Sequence, residues 1–246
     1  MRYYQCDKYP IEFVLSENID KHFDAHNHVR HYVLAVVMQG TIVIYLENRE
    51  VACHRGDVFI IPPYTVHSVR QGKDVRLLSM CIGTSFVEDN DLEVAGKIIR
   101  DLLGDAVAQG IFGKEQKEKL QSFVWTVYAL LDKELKEMDA DIKFLADKIA
   151  NHPEQELSIE ALASDIFVSK YYLIRKFKGS VGMTPHQFCI QNRIRKSQGM
   201  LDEERTVSRI AAEMGFYDQS HFDKVFRRIV GVSPSEYVHS KKYIEI

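Results

Sequence analysis

The chain has 246 residues, more than most single domains contain, which favours two compact units that each bury a core of their own. Hydrophobic residues make up 46% and charged residues 27% of it, which excludes a disordered chain, and no apolar run reaches the roughly 18 residues of a membrane span. The net charge of −3 argues against a protein that binds nucleic acid by general basicity.

The beginning of the chain, residues 1–7, lacks the basic stretch and the apolar segment of a secretory signal. We therefore expect a cytoplasmic protein with no membrane partner. The four cysteines have no CxxC spacing, which in a reducing compartment is typical of free thiols in or near the core. They are Cys6, Cys53, Cys81 and Cys189.

Up to about Gly83 the chain consists of short β-branched and aromatic runs separated by turn residues. The clearest runs and turn residues are 32–38, 41–46, 58–61, Gly40, Asn48 and Gly56. Closely spaced strands with tight turns predict a small antiparallel β-barrel or sandwich rather than a parallel sheet.

From Leu92 onwards the hydrophobic period changes to 3.6 residues, which predicts helices. One face of a helix of about 20 residues is apolar. Its residues are Leu120, Phe123, Val124, Val127, Leu130, Leu131 and Leu135. This face must be covered, either by the strands or by the same helix of a second subunit, and both alternatives stay open. The charged stretch 133–141 is interpreted as an interdomain connection.

The last hundred residues contain an internal repeat. The matching pairs, at offsets of 48 and 49, are Leu162 with Ile210, Ala163 with Ala211, Leu173 with Phe222, Phe177 with Phe226 and Gly182 with Gly231. Each copy ends on a capping residue and a proline, with Gln or Glu three residues after the cap, and this predicts two capping boxes. These residues are Thr184, Pro185 and Gln187, then Ser233, Pro234 and Glu236.

In the first copy, Ser158 is predicted to cap a helix to about Asp165, and Ser169 a second helix to Lys178. The second helix carries an outward basic stripe that includes an aromatic ring. The stripe is Lys170, Tyr171, Ile174, Arg175 and Lys178, opposite the inward Leu162, Ala163, Leu173 and Phe177. Such a stripe suits the major groove of DNA, which admits one α-helix.

In the second copy, Thr206 is the predicted cap, the turn lies at Gly215-Phe216, and the exposed helix runs from Asp218 to Arg228. The predicted inward residues are Ile210, Ala211, Met214, Phe222 and Phe226, and the outward ones are Ser220, His221, Lys224, Arg227 and Arg228. Two such helices on one unit can enter successive major-groove turns, about 34 Å apart. The charge balance agrees, since residues 1–140 carry −5 and residues 141–246 carry +2.

These motifs resemble those of the AraC/XylS family of bacterial transcription regulators, over about residues 142–237. The resemblance rests on Ile210-Ala211, Gly215-Phe216, Asp218-Gln219-Ser220, Phe222, Phe226, Gly231 and Pro234-Ser235-Glu236-Tyr237, and on Arg193-Ile194, Ser197 and Met200-Leu201 in the linking helix. It implies a regulator and not an enzyme, with double-stranded DNA, RNA polymerase and a small-molecule effector as partners. A homodimer is left open.

The resemblance also assigns roles to the two outward stripes. It implies base contacts by Tyr171, Ile174 and Arg175 in the first motif and by Ser220, His221 and Lys224 in the second. Phosphate contacts are predicted for Lys170, Lys178, Arg227 and Arg228. Ile174 is a departure towards apolar contact with a thymine methyl group, and Arg175 is the candidate for a bidentate contact to guanine.

The front domain resembles a cupin barrel. The residues that carry this resemblance are His26-Asn27-His28 with Gly40, and Gly56 with Pro62 and His67. Metal cupins hold a divalent ion with three histidines and an acid, but here Val33 stands at the acid position and Tyr64 replaces the usual glycine. His22 and His31 are nearby spare ligands.

Two interpretations of this cluster stay open. In one, His26, His28 and His67 hold a divalent metal. In the other, these histidines and Tyr64 line the mouth of an effector pocket and no cofactor is required. A metal-cupin enzyme and a DNA-binding protein without a ligand are the alternative functions.

The sequence thus predicts an α+β protein of two domains, in which a small antiparallel cupin-like β-barrel is followed by helices and an all-α tandem helix-turn-helix domain. The predicted boundaries are 1–90 for the sensing domain, 91–140 for linker helices that could also dimerise, and 141–246 for the DNA-binding domain.

Overall fold

The computed structural model describes residues 1–46, 49–132, 138–203 and 205–244. Contacts group the chain into two compact units: Met1–His22, His28–Leu135 and Ser240–Ile246 form the first, and Phe23–Asn27 and Lys136–His239 form the second. Strands dominate the first unit and helices the second, which confirms the predicted two-domain α+β class.

The strands form two β-sheets. Their bounds are β1 Arg2–Cys6, β2 Ile11–Glu17, β3 Lys21–His26, β4 His31–Gln39, β5 Thr41–Leu46, β6 Arg49–His54, β7 Val58–Ile61, β8 His67–Gln71, β9 Arg76–Gly83 and β10 Lys241–Ile244. One sheet has the order β10-β1-β2-β9-β4-β7 and the other β3-β8-β5-β6. The three clearest predicted strands are confirmed as β4, β5 and β7. Closure of the two sheets into one barrel stays a prediction.

The sequence pattern of β4 differs from that of β5 for a physical reason. Residues 32–37 of β4 are all buried, so both faces of this strand are covered, and its sequence is one continuous apolar run. In β5, Ile42 and Ile44 are fully buried while Thr41 is exposed, which is the alternation expected of a strand with one solvent-exposed face.

Three helices pack on the six-stranded sheet: α1 Thr84–Asp89, α2 Leu92–Ala108 and α3 Lys114–Asp132. The predicted apolar face of α3 is buried at Leu120, Val124 and Val127. These side chains share one core with strand residues such as Leu34, so strands of the same chain cover this face. The predictions on Asn48, Leu135 and residues 133–137 lie outside the described residues, as do the side chains of Leu130 and Leu131. The predicted connection 133–141 is wrong at its end, because residues 140 and 141 already belong to a helix that begins at Ala140.

The last strand, β10, was not predicted by any sequence pattern. It pairs with β1 in parallel, with Tyr3 opposite Lys241, whereas the other strand pairs with a described register are antiparallel. Ile244 is fully buried in the core of the first unit. The end of the chain therefore groups with the first unit rather than with residues 141–239. The boundaries at residues 90 and 140 stay predictions.

The second unit contains seven described helices. They are α4 Ala140–Asn151, α5 Ile159–Asp165, α6 Lys170–Val181, α7 Pro185–Asp202, α8 Val207–Glu213, α9 Gln219–Val230 and α10 Pro234–Ser240. The repeat is confirmed, because α5 and α6 correspond to α8 and α9 and each pair is followed by a helix that begins at a proline. None of the helices described in either unit is long and apolar enough to cross a bilayer.

The predicted helix starts are confirmed, and all but one of the predicted caps form their hydrogen bonds. Ser158 Oγ accepts from the Ala161 backbone N–H at 3.1 Å, and Ser169 Oγ from that of Tyr172 at 3.3 Å. Both capping boxes form, with Gln187 and Glu236 each accepting from the backbone N–H of its cap. Thr206 occupies the cap position of α8, but its side chain makes no capping hydrogen bond.

Candidate DNA-binding interface and ligand site

The outward face of α6 is basic and aromatic. Tyr171 is 76% exposed, and Ile174 is half-buried beside it. The three predicted basic residues of this stripe are also exposed: Lys170, Arg175 and Lys178. Since Leu173 and Phe177 are fully buried, the predicted inward and outward faces are confirmed. Contact of the outward face with DNA stays a prediction.

The charges on α6 differ in their protein partners. Lys170 Nζ lies 3.2 Å from a carboxylate oxygen of Glu160 and 5.5 Å from the centre of the Tyr171 ring. Arg175 lies 5.9 Å from the centre of the Tyr172 ring, a cation–π distance. Within the described residues neither Arg175 nor Lys178 forms an ion pair, so both charges remain available to an anionic partner.

Lys176 has a different role from its neighbours in the sequence cluster. Its Nζ lies 2.9 Å from Asp139 and 3.7 Å from Asp141, at the start of α4. Its hydrogen bond to Asp139 raises the pKa of the Lys176 ammonium group. Lys176 therefore holds α6 to α4. Counting basic residues along the sequence could not separate it from Arg175.

The outward face of α9 carries the second predicted stripe. Its predicted residues are all exposed: Ser220, His221, Lys224, Arg227 and Arg228. The His221 ring packs edge-on against Phe216, with ring centres 5.5 Å apart, which restricts its orientation. Arg227 lies 3.5 Å from Glu236, so part of its charge is compensated inside the protein. Within the described chain, Lys224 and Arg228 form no ion pair.

The turns of the two motifs expose aromatic side chains that sequence reasoning missed. Phe167 is 97% exposed and has a φ of 56°, in the left-handed region. Tyr217, directly before the cap of α9, is 92% exposed. The corresponding turn residue of the second motif is Gly215, with a φ of 68°. A phenylalanine at a turn where the other copy has glycine was the available sequence signal.

Two of the predicted histidines, His28 and His67, are brought together in the first unit. The rings of His28 and His67 are buried, with centres 5.0 Å apart, and the His31 ring centre lies 4.5 Å from that of His28. Tyr64 has a φ of 61° and donates its backbone N–H to the His28 carbonyl at 2.6 Å.

Two backbone carbonyls determine which ring nitrogen carries the proton. His26 Nδ1 lies 2.7 Å from the Asp24 carbonyl oxygen and His67 Nδ1 lies 3.0 Å from that of Thr65. A carbonyl oxygen can only accept, so each Nδ1 must donate, and in the neutral ring the lone pair is then on Nε2. A carbonyl that accepts from one ring nitrogen in this way fixes the ring so that the other nitrogen can bind a metal ion.

Comparisons with known proteins agree with this fold and these motifs. The family model described as an AraC-like ligand binding domain matches residues 9–164, and the model described as a helix-turn-helix domain matches residues 162–240. The first match alone covers more than half of the chain. The chain therefore belongs to the AraC family of transcription regulators, which are DNA-binding proteins with an N-terminal ligand-binding domain.

Individual relatives extend over nearly the whole chain. The probable transcriptional regulator LumQ of Photobacterium leiognathi is 25% identical over 237 residues, 90% of this chain and 94% of LumQ. The arabinose operon regulatory protein of Escherichia coli is 22% identical and covers 84% of this chain and 80% of its own. The structure of ToxT from Vibrio cholerae shares the fold, with a TM-score of 0.61 at 14% identity over 98% of this chain and 99% of ToxT.

Proposed function

We propose that this protein reads a specific operator with two helices, α6 and α9, placed in successive major-groove turns. The observation that carries this proposal is the tandem repeat itself. Each copy presents an exposed stripe with unpaired basic residues on a helix whose opposite face is fixed in the core. One long helix, α7, connects the two copies. Bases would be read by Tyr171, Ile174, Arg175, Ser220, His221 and Lys224, and phosphates would be held by Lys170, Lys178, Arg227 and Arg228.

Selection from a random DNA library with the full chain tests this function. The expected product is a pair of half-sites about one helical turn apart, bound far more tightly than random DNA at the same salt concentration. Binding that depends on salt but not on sequence would contradict it, because phosphate contacts alone carry no sequence information.

We further propose that a small molecule bound in the front domain controls this regulator. The histidine cluster with Tyr64 is the proposed site, and the match to an AraC-like ligand binding domain supports it. ToxT, whose fold is similar, has been crystallised with an unsaturated fatty acid. Thermal-shift screening of the full chain against metabolites should find a compound that stabilises it and whose effect is lost in His26→Ala.

A divalent metal is the second candidate for this site. Zinc binds histidine nitrogens at about 2.0–2.1 Å in tetrahedral geometry, so two ligand nitrogens of one ion lie about 3.4 Å apart. The buried rings of His28 and His67, whose centres are 5.0 Å apart, would supply two of the three nitrogens. Val33 is 7% exposed and supplies no carboxylate, so three neutral imidazoles would hold the ion, a donor set that suits zinc.

Metal content decides between the two candidates. After chelator treatment, the full chain is incubated with Zn²⁺ alone, dialysed and assayed for zinc and for melting temperature. One zinc per chain and a higher melting temperature, both lost in His26→Ala but kept in the exposed control His54→Ala, would support the metal. Zinc content equal in all variants would exclude this site.

The remaining proposals concern partners and location. We propose a non-catalytic, cytoplasmic regulator that contacts RNA polymerase, and a homodimer stays open. The curated relatives are named as transcription regulators, which supports the non-catalytic role. Size-exclusion chromatography with light scattering tests the dimer.

A further inference from the structure

Arg193, on α7, contacts the loop that precedes the first copy of the repeat and the turn inside the second copy. Its Nε donates to the Pro153 carbonyl oxygen at 2.7 Å, and a terminal guanidinium nitrogen donates to that of Gln155 at 3.1 Å. The other terminal nitrogen donates to the Gly215 carbonyl oxygen at 3.0 Å. One side chain thus forms hydrogen bonds both to the loop that leads into the first motif and to the turn inside the second motif.

The chemistry of these contacts makes Arg193 a rigid connector. A guanidinium group is planar and presents its donors in a fixed fork, so three carbonyls bound at once determine its position. Pro153 follows the end of α4 and Gly215 follows the end of α8, where helix carbonyls lack partners and the helix dipole favours a cation. The positive charge therefore lies at the ends of two helices, one from each half of the unit.

The turn at Gly215 is shaped around this side chain. A Cβ atom at Gly215 would lie 3.0 Å from one terminal nitrogen of Arg193 and 3.3 Å from its central carbon. The backbone of the second motif therefore approaches the guanidinium as closely as a glycine allows. The adjacent residue on α7, Ile194, is fully buried, so the base of the connector is fixed in the core.

We propose that Arg193 is a positioning residue that sets the distance and angle between the two recognition helices, and thereby the half-site spacing that the protein accepts. This inference rests on the proposed reading of DNA by α6 and α9. One base pair inserted between half-sites moves the second by about 3.4 Å and turns it by about 36°. If Arg193 holds α6 and α9 rigidly, the two helices cannot move to match the displaced half-site. Without this connection they can.

The chain offers a matched control for this role. Lys196 lies three residues further along α7 and bonds Glu154, in the same loop as Pro153 and Gln155, at 2.9 Å. It is exposed, and its ion pair joins α7 to that loop without reaching the second motif. Lys196→Ala therefore removes one contact of the same loop and leaves the connection between the motifs in place.

The test measures affinity of the full chain for its selected operator, for the same operator with one base pair inserted or deleted, and for each half-site alone. For wild type and Lys196→Ala, the altered spacing should weaken binding by roughly tenfold, about 1.4 kcal/mol. In Arg193→Ala and Arg193→Gln this penalty should largely disappear, with half-site affinities unchanged. Arg193→Lys should restore it only in part, because an ammonium cannot replace the fork.

Three results would overturn the proposal. A wild-type spacing penalty in the Arg193 variants would show that other contacts fix the geometry. Equal loss of affinity for every DNA, half-sites included, with lower helix content in circular dichroism, would show that Arg193 only supports folding. Absence of any paired half-site in the wild-type selection would contradict the proposed function itself, and the spacing role with it.

Discussion

The two proposed recognition helices, α6 and α9, are both 12 residues long, and both end at a glycine in the left-handed conformation. Their inner faces differ. In the second motif four rings form a chain, with centre distances of 5.2 Å from Phe216 to Phe222, 5.5 Å on to Phe226 and 5.8 Å on to Tyr237. The corresponding phenylalanine of the first motif, Phe177, has a described ring contact with Phe188 at 5.5 Å.

The turns differ in the opposite sense. The second motif places a glycine at the left-handed position, whereas the first places Phe167 there, fully in solvent. A side chain in this conformation costs roughly 1–2 kcal/mol. The two copies therefore share the helix geometry. The second motif has more described aromatic contacts in its core, and the first motif keeps a strained turn.

The largest expected effect tests the difference in packing. Phe226→Ala should lower the free energy of unfolding by about 3–5 kcal/mol, because it empties a fully buried site. Phe177→Ala should lower it by about 0.5–1.5 kcal/mol less, since among the described residues the Phe177 ring contacts one aromatic ring and the Phe226 ring contacts two. Urea unfolding of the full chain, followed by helical circular dichroism, gives both values. An equal or larger loss in Phe177→Ala would contradict the comparison.

The next effect concerns DNA reading by the first motif. Arg175→Ala should weaken operator binding by about 1–3 kcal/mol and relax the preference at one base pair, because a bidentate guanine contact carries that discrimination. Lys178→Ala is the control. It should weaken binding to all sequences alike and lower the salt slope by about one.

Binding of each variant to single-base operator variants at two salt concentrations separates these outcomes. If Arg175→Ala lowers all affinities equally with every base preference intact, α6 is not oriented in the groove as proposed. Specificity would then have to come from Ser220, His221 and Lys224 in the second motif.

The turn residues provide a matched pair of changes with opposite signs. Gly215→Ala should destabilise the protein by more than about 1 kcal/mol, since its φ is positive and the new Cβ would press on Arg193. Phe167→Gly should raise stability by about 0.5–1 kcal/mol, because relief of strain exceeds the entropy that glycine adds to the unfolded chain. Thermal and urea unfolding of both variants check the signs. A destabilised Phe167→Gly would show that the exposed ring makes a stabilising contact.

The smallest effect compares the two helix caps. Ser158→Ala should cost about 1 kcal/mol, because it removes the hydrogen bond to the Ala161 N–H. Thr206→Ala should lower the free energy of unfolding by only a few tenths of a kcal/mol, since no capping hydrogen bond is lost. The same unfolding measurement on both variants is sufficient. Similar losses would mean that the threonine cap forms in solution.

Much of the architecture could be predicted from local patterns. The strands at 41–46 and 58–61 were predicted with the bounds that the structure gives. A short run of β-branched residues between turn residues rarely forms anything other than a β-strand. The repeat and its caps also predicted α5, α6, α8 and α9, although α6 ends at Val181 rather than at Lys178 and α9 at Val230 rather than at Arg228, and α4 was not predicted. The histidine site was predicted from the resemblance to cupin motifs; the rings of His28 and His67 lie together in the first unit, and their role stays a prediction.

Long-range partners could not be predicted in this way. Lys176 and Arg175 are neighbours in one basic run. Lys176 forms an ion pair inside the protein because the fold places Asp139 beside it. Arg193 looked like a family residue of the linking helix. Its three carbonyl partners come from segments that are 22 to 40 residues away.

The sequence by itself determined the elements whose signals are local: hydrophobic period, caps, glycine turns and the tandem repeat. The tertiary structure alone decided that β10 pairs with β1, that strands of the same chain cover α3, and that Arg193 joins the two motifs. The reason is physical. A periodic face or a cap is satisfied within a few residues, whereas a strand edge, an apolar helix face and a guanidinium fork are satisfied by whatever the fold brings against them.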